Sequence, residues 1–189
     1  MSSALEPFPV DSTALKSQDA GAYLLCVNTL MKNTIVRALA RILEIATATK
    51  EGGEFQSFVD YIRITCDMLE LHLQGDEMFF TSPSPSQRIK LVDVLGASCN
   101  PRTPELQGSV EELRRKTEEW REAPGTFHSQ CLDLLTRVSS TMLEAMSEQL
   151  IAVRSDALKS ALGNEELQSM IHANIAWIGG NSDITVLLP

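Results

Sequence analysis

The chain has 189 residues, 43% of them hydrophobic, and its 16 Lys and Arg against 25 Asp and Glu give a net charge of -9. A chain of this size and composition is expected to form one domain around its own apolar core, without a disulfide or metal merely to hold it folded. The acidic balance, with the only basic cluster at Arg114-Arg115-Lys116 among glutamates, excludes the electrostatic footprint of a nucleic-acid or anionic-membrane binder.

The start, Met1-Ser-Ser-Ala-Leu-Glu-Pro-Phe-Pro-Val-Asp11, lacks the basic opening and apolar run of a secretory leader. The longest uncharged stretch, Ala20 to Met31, is too short to cross a bilayer. A reducing cytoplasm is the expected compartment. Cys26, Cys66, Cys99 and Cys131 form no Cys-x-x-Cys pair and read as buried thiols rather than as a zinc knuckle or a redox pair.

A first helix is predicted from about 19 to 49, because Leu24, Val27, Met31, Ile35, Ala38, Ile42 and Ile45 recur at spacings of three and four before Gly52-Gly53 stops the pattern. A second spans about 55 to 80. There Phe55, Phe58, Ile62, Thr65, Leu69, His72, Asp76 and Phe79 form an unbroken seam that contains two ionisable residues. Thr81-Ser-Pro-Ser-Pro-Ser ends that helix, and a long loop reaches Pro104.

A third helix, about 105 to 122, turns Leu106, Val110, Leu113, Thr117 and Trp120 inward before Pro124-Gly125. The fourth, about 126 to 159, carries Phe127, Cys131, Leu134, Val138, Met142, Ala145, Gln149 and Ala152 in register. A short helix from 164 to about 175 and an irregular tail follow. Four long antiparallel helices make an all-α, up-down four-helix bundle the expected fold, as a single domain over 1–189.

Polar residues at the seams of such a bundle are the informative ones. Lys32 lies on or beside the inward face of the first helix, and His72 and Asp76 stack four apart on the second, the spacing at which one helix offers two ligands to a metal. Gln107 and Gln149 join them from the third and fourth. His128, near a helix start at the bundle end, is a weaker third ligand for a mononuclear iron triad with His72 and Asp76.

These segments resemble the hemerythrin-like (HHE cation-binding) family, and in particular its fungal branch. Lys32-Asn33-Thr-Ile-Val-Arg37-Ala-Leu39 is similar to the family's His-Asn-x-x-x-Arg-x-Leu opening, with Lys32 at the ligand histidine. His72-Leu-Gln-Gly-Asp76-Glu77-Met-Phe79-Phe80 resembles the His-x-x-x-Glu-Glu-x-x-Phe-Phe/Pro signature. By the same resemblance Gln107, Ala145 and Gln149 stand where other ligands belong, Met142-Leu-Glu-Ala145-Met146-Ser-Glu-Gln149 following the Leu-x-x-His-Leu-x-x-Glu pattern with both ligands replaced. The segment Gly179-Gly-Asn-Ser-Asp183-Ile-Thr resembles the tail of the fungal branch.

Two remaining ligands do not hold two irons, and an ammonium at Lys32 replaces the metal's charge and can pair with Asp76 or Glu77. The expectation is a metal-free bundle whose emptied centre takes a small organic substrate, with no cofactor. Lys32, His72 and Asp76 are the candidate catalytic residues, and Glu77, Gln107, Ala145 and Gln149 the candidate substrate-binding ones. The resemblance sets this in fungal secondary metabolism, where a cofactor-independent cyclase, pericyclase or isomerase suits such a pocket. A non-haem iron protein and a non-catalytic carrier or interaction module are the alternatives, and the oligomeric state is left open.

Overall fold

The computed structural model describes residues 5–47, 53–153 and 156–182, without the side chains of 53, 128–130, 156 and 157. Among them the protein is helical throughout: α1 Ala20–Ala46, α2 Gly53–Thr81, α3 Leu91–Leu95, α4 Pro104–Glu122, α5 Phe127–Val153, α6 Asp156–Ala161 and α7 Asn164–Asn181. Extended pairing among them is limited to one isolated bridge, Pro83 with Lys90. Among the described residues no helix is long and apolar enough to cross a membrane.

The ends of the long helices are set locally. The Asp19 carboxylate accepts from the free amides of Gly21 and Ala22 at the start of α1, and Thr103 caps α4 ahead of Pro104, whose missing N–H costs nothing in a first turn. Each such cap contributes about 1 kcal/mol. Helices α1, α2, α4 and α5 each pack on two of the others, α1 on α2 and α5, α4 on α2 and α5. Helix α7 lies across α1 and α2.

The seam of α2 is buried at every position from Phe55 to Phe79, and the inward residues of α4 are those the spacing predicts. On α1 the buried face runs Leu24, Asn28, Lys32, Ile35, Leu39, Ile42 and Ala46, about one residue round from the predicted stripe. The N-terminal segment packs against α1 as well. It covers one flank of α1, where the Asn33 side chain accepts from the Phe8 amide at 2.7 Å and donates to the Phe8 carbonyl at 2.9 Å. Lys32 stands within the buried face itself.

Two apolar clusters result. One fills the α1, α2, α4 and α5 interior, with Phe127 meeting Phe55, Phe58 and Trp120 edge to face. The other joins Leu24, Phe79 and Phe80 to Leu91, Cys99, Leu158, Leu167 and Ile171. The segment 82–104, predicted as a loop, therefore carries α3 and a 3₁₀ turn, Ala97–Cys99, and its Leu91 and Cys99 are fully buried. Over the predicted fourth helix, α5 and α6 are helical, and residues 154–155 between them lie outside those described. Helix α7 continues to Asn181, past the predicted end near 175, and the tail motif around Asp183 lies outside the described residues.

Candidate functional site

A polar layer separates the two apolar clusters. It is assembled where the seams of α1, α2 and α5 converge, and it consists of Lys32, His72, Asp76 and Gln149, all buried. The Lys32 Nζ stands 3.4 Å from Asp76 Oδ2 and 3.4 Å from His72 Nε2, and His72 Nε2 is itself 3.4 Å from the same carboxylate oxygen. Gln149 Nε2 donates to Asp76 Oδ2 at 3.0 Å and to the Cys99 carbonyl at 2.7 Å. Both amide protons are thus used on acceptors, which fixes the orientation of the side chain and leaves its buried Oε1 without a protein donor.

Burial dominates the electrostatics of this layer. It pushes the His72 imidazole down to about 4, with the Asp76 carboxylate pulling the other way, so the ring is neutral near neutral pH. Burial likewise lowers the Lys32 ammonium, and Asp76 restores part of the loss. For Asp76 burial alone acts upward, but Lys32, His72 and the Gln149 amide outweigh it and hold the carboxyl below its ordinary range. Lysine and carboxylate neutralise each other inside the protein, with the His72 imidazole and the Gln149 amide as their neighbours.

The other sequence candidates lie outside this layer. Glu77, one residue on from Asp76, is turned about 100° round the helix and forms an ion pair with Arg102, which also holds Glu70 at 2.9 Å. It does not join Lys32. Gln107 is half-buried, and Ala145 packs against the main apolar cluster. The side chain of His128 lies outside those described, and His172 is exposed, with its ring edge-on to Tyr23.

Two contributions escaped the sequence reading. The Cys99 carbonyl is a backbone group and leaves no side-chain signal. The other is α7, whose Asn174 donates to the Gly75 carbonyl at 2.7 Å and whose Ile178 sits so close that a β-carbon at Gly75 would stand 2.9 Å from it. Gly75 is the residue that lets α7 close over α2 beside Asp76. A cavity of about 150 Å³ remains there, lined by Met31, Ile35, Met68, Leu71, His72 and Ile178 among others. Two larger cavities, about 300 and 370 Å³, open between α7 and the end of α2 and under the N-terminal segment, and none of the four residues of the polar layer lines either one.

The donor set does not fit the di-iron centre that the resemblance would imply. Among the described residues no three His, Cys, Asp or Glu side chains converge as a metal site, and the two that do meet, His72 and Asp76, have an amine 3.4 Å from both. The fold and site together define an all-α protein with a buried lysine–histidine–aspartate layer next to a small cavity. No protein-family profile, curated protein or solved structure matches the chain.

Proposed function

We propose that this is a metal-independent small-molecule enzyme on a hemerythrin-like up-down four-helix bundle, one domain built from α1, α2, α4 and α5. The observation that carries the reading is the position of Lys32 Nζ, fully buried and within 3.4 Å of both Asp76 and His72. A cation is supplied by the chain where the resembling family would hold iron. The order of helix neighbours supports the bundle, and the four buried free thiols are consistent with a reducing cytoplasm.

His72 is the group that both contacts the charged pair and lines the cavity. Neutral and in contact with Lys32, it acts as the acid–base group towards a substrate in that cavity, while Lys32 stabilises negative charge developing on a substrate oxygen. Isomerisation, cyclisation and dehydration need no more than this, and such steps belong with the fungal secondary metabolism suggested by the motifs. Gln149 holds Asp76 in place, and Glu77, Gln107 and Ala145 take no direct part.

The test combines metal loading with ligand screening. Anaerobic incubation with ferrous iron followed by elemental analysis is expected to leave no stoichiometric iron. Saturation-transfer NMR with a library of small uncharged fragments is expected to give binders that lose at least tenfold in affinity in His72→Phe. One or two equivalents of iron, or binders indifferent to that substitution, would overturn the proposal.

A further inference from the structure

The geometry points to Lys32 as a Schiff-base lysine, and to a carbonyl compound, an aldehyde or ketone, as the substrate class of this site. The inference rests on the proposed small-molecule function and deepens it. Three features carry it together.

The first is how loosely Lys32 is held. It is fully buried, yet an ammonium with three N–H donors finds, among the described residues, only the Asp76 and His72 contacts, both at 3.4 Å, longer than the 2.7 to 2.9 Å typical of a charge-assisted hydrogen bond. A dehydrated, weakly bonded amine is the form of lysine that condenses with carbonyl groups. The second is the adjacent proton carrier, His72 Nε2, placed to take a proton from Nζ and return it to a substrate oxygen. The third is access. Met31 and Ile35, on either side of Lys32 along α1, line the same cavity as His72, and His72 is in contact with Nζ, so a turn of the imidazole would open a way from that space to the amine, which does not itself line it.

The reaction balances without a co-reactant. Lys32 ammonium passes one proton to His72, and the freed amine attacks the carbonyl carbon, forming a C–N bond as the carbonyl π electrons move to oxygen. His72 returns the proton to that oxygen. A second proton from nitrogen follows by the same route, the C–O bond breaks, and water leaves. The product is an iminium that retains one N–H and one positive charge, so Asp76 faces a cation before and after condensation. A buried carboxylate is never left unpaired, which is the costly outcome in such an interior. The iminium then draws electrons from the neighbouring carbon, and neutral His72 removes the α-proton to give an enamine, the intermediate an isomerase or cyclase of this kind requires.

Trapping tests the inference directly. The full-length protein is incubated at neutral pH with benzaldehyde and sodium cyanoborohydride, which reduces an iminium to a stable secondary amine, and modified peptides are mapped by mass spectrometry. Lys32 is expected to be alkylated at least tenfold faster than Lys16, Lys50, Lys90, Lys116 or Lys159. In His72→Phe, with helicity retained by circular dichroism, Lys32 labelling is expected to fall at least tenfold while the other lysines are unchanged. Labelling of Lys32 no faster than its counterparts would overturn the Schiff base. If fragments still bound in a His72-dependent way under that outcome, the small-molecule site would stand and only its covalent chemistry would fall.

Discussion

Lys32 and Asp76 stabilise one another only as a pair. Removing the lysine alone leaves a carboxylate buried with a neutral imidazole and one amide for company, and such an uncompensated charge costs about 3 to 5 kcal/mol. Lys32→Met is accordingly expected to lower the unfolding free energy by about that amount in urea titrations. Adding Asp76→Leu to it is expected to recover most of the loss, because no charge is then left to solvate. The acid response follows from His72. Its ordinary value is 6.5 and its native value about 4, so between those limits the unfolded chain binds a proton that the native protein does not. Stability therefore falls as pH drops from 6.5 towards 4, by about 3 kcal/mol for this group. Asp76, held below its ordinary 3.8, adds a further loss only at lower pH still. Equilibrium unfolding of His72→Phe across that window is expected to show a correspondingly flatter pH dependence than the wild type.

Helices long enough to repeat their period several times were legible in the sequence, and shorter or tertiary-supported ones were not. The α2 seam reads correctly because eight successive positions agree, whereas the five residues of α3 cannot display a 3.6-residue period at all. Gly179-Gly180 falls in the stretch read as an irregular tail beyond a helix ending near 175. The helix nevertheless passes through both residues after the contacts of Asn174 and Ile178 with the Gly75 region of α2. Long-range packing outweighs a local preference of about 1 kcal/mol per glycine. The same reasoning explains the site. Lys32, His72, Asp76 and Gln149 stand out because they interrupt apolar seams, while Glu77 entered through the resemblance of the Asp76-Glu77 pair to a family signature, and on the helix it faces Arg102 instead. Gly75→Val tests the α7 contact, since its side chain would enter the space of Ile178. We expect a stability loss of about 1 to 3 kcal/mol, together with faster amide exchange over 174–182. Protection at Leu167 and Ile171, buried in the second cluster, is expected to hold.

At the scale of the whole molecule, the polar layer lies between the two apolar clusters. Cys66 and Cys131 lie in the first and Cys99 in the second, and Gln149 ties Asp76 of the layer to the Cys99 carbonyl. Burial pushes the thiols of Cys66 and Cys131 up to about 12 and that of Cys99 up to about 11, so little reactive thiolate exists in the native protein. Modification by an aromatic disulfide reagent at pH 8 then reports opening of the structure around each cysteine. Cys26, which lines the cavity beneath the N-terminal segment, is expected to react first. If the layer makes the clusters one cooperative unit, Cys66, Cys99 and Cys131 follow together at a single, much slower rate. Gln149→Leu removes the tie at a cost of about 1 to 2 kcal/mol locally, so Cys99 is expected to gain about tenfold in rate while Cys66 and Cys131 change little. A Cys99 already faster than those two in the wild type would mean that the 82–104 segment opens independently of the layer beneath it.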